Sequence, residues 1–211
     1  KTFSVGSDVK STALAELYQI IIDHTGNTNI PECQLKILDL DNQSTVTATG
    51  DLTVTTELEV NSGTTLNANG NTIAAKTVDV NGGTLDLRNS TMNFSVTNSG
   101  DDLSLSTSST LLTGNTTIAG HSSATPTPTT VGSSGNFEVV GDVSNLAIQG
   151  NGDLTVIGSV TGCTLADSTA NIRQFFHTLD TQQLLDADEA GDDDLRLTKP
   201  ALDNSHELQT G

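Results

Sequence analysis

From Ser44 to Ala166 the chain repeats one short unit, an apolar–x–apolar pair followed by a bend of Gly, Asn, Asp and Ser. The pairs are Leu52/Val54, Leu58/Val60, Leu66/Ala68, Val78/Val80, Leu85/Leu87, Met92/Phe94 and Leu103/Leu105, then Phe137/Val139, Leu146/Ile148 and Leu154/Val156. Most begin six to eight residues after the one before, across bends such as "NSG", "NANGN", "NGG" and "QGNGD". Strands this short, spaced this regularly, fit neither long hairpins nor βαβ units. They predict a parallel β-helix, or β-solenoid: each strand lies on a flat face, each bend turns a corner, and three faces make a rung. Leu52, Leu58, Leu66 and Ile73 mark one rung of 21 residues; Ile73, Val78 or Val80, Leu85 and Met92 mark the next, of 19.

The composition agrees with a narrow bore. Aromatics are 3% of 211 residues and Trp is absent, so burial falls to Val, Ile, Leu and Thr. Such side chains suit a pleated surface, while Gly and Asn accept the left-handed backbone that corners require. The string "GDLTV", at Gly50–Val54 and again at Gly152–Val156, reads as a corner followed by a face strand. Leu and Val point in and Thr points out, so two slots with the same local demand hold the same string.

The flanks read differently. Residues 1–43 hold an amphipathic helix in "STALAELYQIIIDHTG", with Leu14, Leu17, Tyr18 and Ile21 on one stripe, and then the strand "QLKILDL". Residues 167–211 hold a second stripe, Ile172, Phe175, Phe176 and Leu179, followed by "DADEAGDDD" and an extended C-terminal arm. The expected fold is thus mainly β: a solenoid body over 44–166 with short amphipathic helices at both ends. The Ser/Thr/Pro/Gly stretch 119–136 carries no apolar strand and is expected to project as a loop insertion. The two helical stripes either cap the open ends of the solenoid, which otherwise expose strand edges, or serve as interfaces, with Phe175 and Phe176 as anchors.

Charge excludes several functions. A formal charge of −18 with eight scattered Lys and Arg residues leaves no basic face for nucleic acid and no attraction to an anionic membrane. No run of 18 apolar residues spans a bilayer, and "KTFSVGSDVK" lacks the apolar run of a signal peptide.

Motifs that carry chemistry are weak throughout. "GHSSA" at 120–124 looks like a nucleophile elbow, but the prolines that follow forbid the helix an elbow needs. His24, His121, His177 and His206 stand alone, without metal-ligand spacing. "DADEAGDDD" starts like a calcium loop, yet Ala190 and Leu197 occupy ligand positions. "NGGTLDL" at 81–87 lacks the third glycine of a calcium nonapeptide and does not recur. Outward carboxylates are many, but none is singled out as the acid–base pair of a glycosidase. Two Thr-x-Thr strings, "TVTAT" and "TVTTE", are too few for an ice-binding ladder. Cys33 and Cys163 read as small buried hydrophobes. No catalytic residue, metal site or cofactor is predicted.

An acidic coil of the "LTVTTELEVNSGTTLNANGNTIAAKTVDVNGGTLDL" type, flanked by amphipathic stripes and a polar arm, resembles small β-helical virion proteins of tailed bacteriophages, both head-decoration (cement) proteins and fibre or spike stems. The resemblance covers residues 44–166 in style. It implies a non-enzymatic structural protein on the virion surface, commonly a homotrimer, bound to the major capsid protein or another virion component. A glycan-binding adhesin or fibre segment is the second reading and a β-helical carbohydrate-active enzyme the third.

Overall fold

The computed structural model describes residues 17–23, 25–94, 101–133, 135–165 and 171–175. Among them the chain forms strands and turns and no helix. In chain order the strands are β1 (Leu17–Asp23), β2 (Gly26–Ile30), β3 (Cys33–Asp41), β4 (Ser44–Ala48), β5 (Leu52–Asn61), β6 (Thr65–Asn67), β7 (Thr72–Asn81), β8 (Thr84–Asp86) and β9 (Thr91–Asn93). The series continues with β10 (Asp102–Leu105), β11 (Thr110–Leu112), β12 (Thr116–Ala119), β13 (Thr127–Val131), β14 (Asn136–Ser144), β15 (Leu146–Gly150), β16 (Asp153–Ile157), β17 (Val160–Thr161), β18 (Thr164–Leu165) and β19 (Asn171–Phe175). All the strand-to-strand ladders are parallel, and together they wind a β-solenoid of about seven turns.

Three walls follow from the register. Wall A runs through the first halves of β3, β5 and β7, then β9, β12, the second half of β14, and β17. Its inward column is Cys33, Leu52, Ile73, Met92, Ile118, Val143 and Val160. Wall B runs through β1, the second halves of β3, β5 and β7, then β10, β13, β15 and β18, with Ile20, Leu38, Leu58, Val78, Leu103, Thr129, Ile148 and Leu165 in register. Wall C stacks β2, β4, β6, β8 and β11, and continues through the first half of β14, β16 and β19. Leu52 pairs with Ile73 and Ile73 with Met92, the two rungs expected from the apolar spacing. Leu35, Leu58, Leu66, Val78 and Val80 are fully buried, and each such side chain contributes roughly 1.5–3 kcal/mol.

Corners are set by backbone freedom. Asn69, Asn89 and Asn115 take positive φ at the bend from wall C to wall A; in that region Asn is the side chain that bonds locally and tolerates the strain. One turn after Asn115, Gly141 occupies the same bend at φ 145°, where a Cβ would lie 1.9 Å from the Thr116 carbonyl oxygen. No other residue fits there.

Both terminal stripes are corrected where the structure describes them. Leu17, Tyr18 and Ile21 lie on strand β1, which pairs with β3 as Leu17 opposite Leu35 and Ile21 opposite Asp39. Ile172 and Phe175 lie on β19, opposite Leu154 and Ile157 of β16. The residues 17–23 satisfy a helical period and a strand period alike. An isolated helix of this length is marginal, whereas the edge of β3 offers a full hydrogen-bonding template and buries Ile22 to 3% exposure. The solenoid therefore extends at both ends where helices were expected. Leu14, Phe176, Leu179 and the acidic C-terminal arm lie outside the described residues.

The 119–136 stretch also contains a strand that its sequence hid. β13 pairs with β10 and β15 and follows wall B, with Thr127 and Thr129 buried where aliphatics stand in other turns. The Thr129 hydroxyl donates to the Thr127 carbonyl at 3.2 Å, which satisfies it inside the bore.

Candidate functional site: the outer walls

Among the described residues the inward positions are filled by packing, so the solenoid body meets other molecules through its outward ones, and the register sorts these sharply. Wall B gathers carboxylates. Asp23 stands beside Asp41, and Asp39, Glu59 and Asp79 form one column. Glu57, Thr77 and Asp102 form a second. Neighbouring strands are about 4.8 Å apart, so these charges repel. Burial, followed by Asp41 and Glu59, holds the Asp39 carboxyl above the usual carboxylate range, against the Asn61 amide that donates to it at 3.1 Å. From β10 onward the column turns uncharged, as Ser104, Thr130 and Gln149.

Wall C is almost neutral over its five-stranded part. One outward column reads Asn27, Thr45, Thr65, Thr84, Thr110, and the next reads Asn29, Thr47, Asn67, Asp86, Leu112. The one carboxylate, Asp86, is 5% exposed. Arg88 neutralises it through a two-pronged contact, Nε to Oδ1 at 2.9 Å and Nη2 to Oδ2 at 2.5 Å, and the Arg88 backbone N–H also donates to Oδ1 at 3.2 Å. These bonds hold the Asp86 carboxyl below its ordinary range.

Beside this pair, at the bend into wall A, lies an open depression of about 360 Å³ lined by Asn67, Asn69, Gly70, Asp86, Arg88 and Asn89. Its floor is held by cross-turn bonds: Gly70 N–H donates to Ser90 Oγ at 2.9 Å, and Asn69 Nδ2 to the Ala48 carbonyl at 3.2 Å. Sequence reasoning passed over these residues because they are ordinary corner residues one by one. The signal available was "LDLRNS", an Asp and an Arg two apart at a bend.

A second polar feature sits where wall A turns into wall B. Two successive turns are longer than those before them: Met92 pairs with Ile118, 26 residues on, and Ile118 with Val143, 25 residues on. Asp101 Oδ2 and His121 Nδ1, both buried, face each other at 3.9 Å and form an ion pair when the imidazole is protonated. His121 N–H also donates to Thr127 Oγ1 at 2.9 Å. The serines of "GHSSA" lie in this turn, and Ser122 bonds Thr125.

Of the expected interface residues, the structure exposes Ile21 on the outside of wall B, at 55%. Ile21 is at one end of the solenoid and β19 at the other, so Ile21 is not brought together with Ile172 and Phe175. Cys33 and Cys163 are free and buried, as the sequence indicated; burial pushes the Cys33 thiol up to about 11 and raises that of Cys163. Both are therefore inert packing groups at neutral pH. Comparison with family models, with curated proteins and with solved structures gives no match for this chain.

Proposed function

We propose that the chain is a non-enzymatic structural protein that decorates a virion surface, with the solenoid as a stiff spacer and the terminal segments as the means of attachment. One observation carries the reading. Among the described residues the large apolar side chains, Ile21 and Leu112 apart, fill a continuous stacked bore, and the walls around it are lined by half-buried polar side chains. The sequence-level resemblance to phage head-decoration proteins supplies the setting. Retention on a lattice then comes from many modest contacts acting together, and a trimer is the expected assembly. The acidic wall B faces solvent in this scheme, since like-charged neighbours held there repel.

The test is truncation. Removing residues 180–211 is expected to leave the β-rich circular dichroism spectrum and the unfolding midpoint of the solenoid unchanged, while abolishing trimer formation by native mass measurement and retention on particles. A truncated chain that stays trimeric and stays on the particle sinks the proposal.

A further inference from the structure

We infer that the depression at Asn67, Asn69, Gly70, Asp86, Arg88 and Asn89 is a binding site for an uncharged sugar unit of a neutral glycan. The size suits one ring with part of a neighbour, at the small end of ligand sites of about 300–1,000 Å³. Such sites are usually mostly apolar; this one is lined by amides, a carboxylate and a guanidinium, so its occupant must present polar groups all round.

Charge narrows the class. The chain carries −18, which opposes sialylated or uronic ligands at long range. A cation gains little, because Asp86, the one carboxylate in the lining, already holds Arg88 at 2.5 Å. A neutral polyol meets neither penalty.

The donor geometry completes the argument. Arg88 has five N–H donors in a planar fork and uses Nε and one Nη2 hydrogen on Asp86. Nη1 and the second Nη2 hydrogen remain for a ligand, on a side chain that is 58% exposed. Asn67 accepts the Asn69 N–H at Oδ1 at 2.8 Å and Asn69 gives one Nδ2 hydrogen to the Ala48 carbonyl, so Asn67 offers its Nδ2, Asn69 its Oδ1, and Asn89 both edges of its amide to hydroxyls of a ligand. Gly70 keeps the floor open: a Cβ there would meet nothing nearer than the Asn89 carbonyl oxygen at 3.9 Å. Thr65 and Thr84 continue the polar surface along wall C beside it, in register with one another. The lining has no aromatic platform, so one site binds weakly, with Kd on the order of 1 mM, and useful strength requires several copies.

The experiment titrates the full isotope-labelled chain with maltohexaose, cellohexaose, mannohexaose and chitohexaose, and with oligogalacturonate as the anionic counterpart. The expected result is amide shifts confined to 67–70 and 86–90 with at least one neutral oligosaccharide and none with oligogalacturonate. Asn89→Gly keeps the positive φ of 58° that Asn89 adopts and is expected to weaken binding about three- to tenfold, the loss of one hydrogen bond. Asn115→Gly, at the same bend one turn on and outside the depression, is expected to change nothing. The mapping on the unsubstituted chain stands even if a variant misfolds. Absence of shifts with all four neutral probes, shifts centred elsewhere, stronger binding of oligogalacturonate, or equal effects of the two glycine variants would each overturn the assignment.

Discussion

Walls B and C share an interior and differ outside. Leu58 on wall B and Leu66 on wall C are both fully buried, on strands that belong to the same turn. Outside, wall B stacks Asp39, Glu59 and Asp79, while wall C stacks Thr45, Thr65, Thr84 and Thr110. Inward positions of a solenoid thus decide that it folds, and outward positions decide what it can meet. Each wall carries its own surface chemistry at almost no cost to the column behind it.

The largest expected effect probes the shared interior. Leu58→Ala and Leu66→Ala should each lower stability by about 2–5 kcal/mol in denaturant unfolding. A much larger loss on one wall than on the other would break the claim that the walls differ only outside.

Next comes the ion pair of wall C. Arg88→Ala leaves the almost fully buried Asp86 carboxylate without its two-pronged partner, so the midpoint should fall, by less than for either leucine truncation. An unchanged midpoint would mean that solvent replaces the guanidinium freely.

Wall B should respond in the opposite sense. Glu59→Gln removes a repulsive neighbour of Asp39 and should raise stability by up to about 0.5 kcal/mol, within the usual surface range. The gain should shrink in 1 M salt, where screening acts over about 3 Å. A loss at low salt would show that the acidic column is not under repulsive strain.

The smallest effect is a pair of titrations with opposite signs. Asp86 has a lowered pKa, so the stability it adds is present above the unfolded carboxylate value and is lost as pH falls through its folded value. Asp39 has a raised pKa, so its contribution is present below the unfolded value and lost as pH rises through the folded one. Carboxyl carbon shifts followed by NMR should therefore place Asp39 above, and Asp86 below, the unfolded value of about 3.9. Coincident titrations would dissolve the contrast between the walls.

Much of the fold was legible in the chain. The 21- and 19-residue rungs emerge from apolar spacing because the side-chain period of a strand is two and a corner consumes a fixed few residues. "GDLTV" behaves as its sequence suggests, with Leu52 and Val54 buried in one copy and Leu154 and Val156 in the other. The two copies nevertheless lie on different walls, the first on A and the second on C, so the string encodes a corner and a strand but no address. Residues 17–23 were misread because Ile20, Ile21 and Ile22 fit both a helical stripe and a strand, and the choice was made by the waiting edge of β3. β13 was missed because Thr127 and Thr129 occupy aliphatic slots and bury their hydroxyls against the backbone.

The candidate site was less legible, since it exists only by stacking. Asn67 and Asp86 are 19 residues apart in sequence and adjacent across one rung. Asp101 and His121 are 20 apart and meet through two expanded turns.

The sequence alone determined a solenoid, its approximate repeat, its buried small hydrophobes and its acidic, cation-poor surface, because these depend on residue type and local period. The three-dimensional packing set the number of turns among the described residues, joined segments at both ends as strands, and chose which outward residues share a wall. Those outcomes depend on register, the sum of one rung's length with the next, and a difference of a few residues in any turn moves a side chain to another position on the wall.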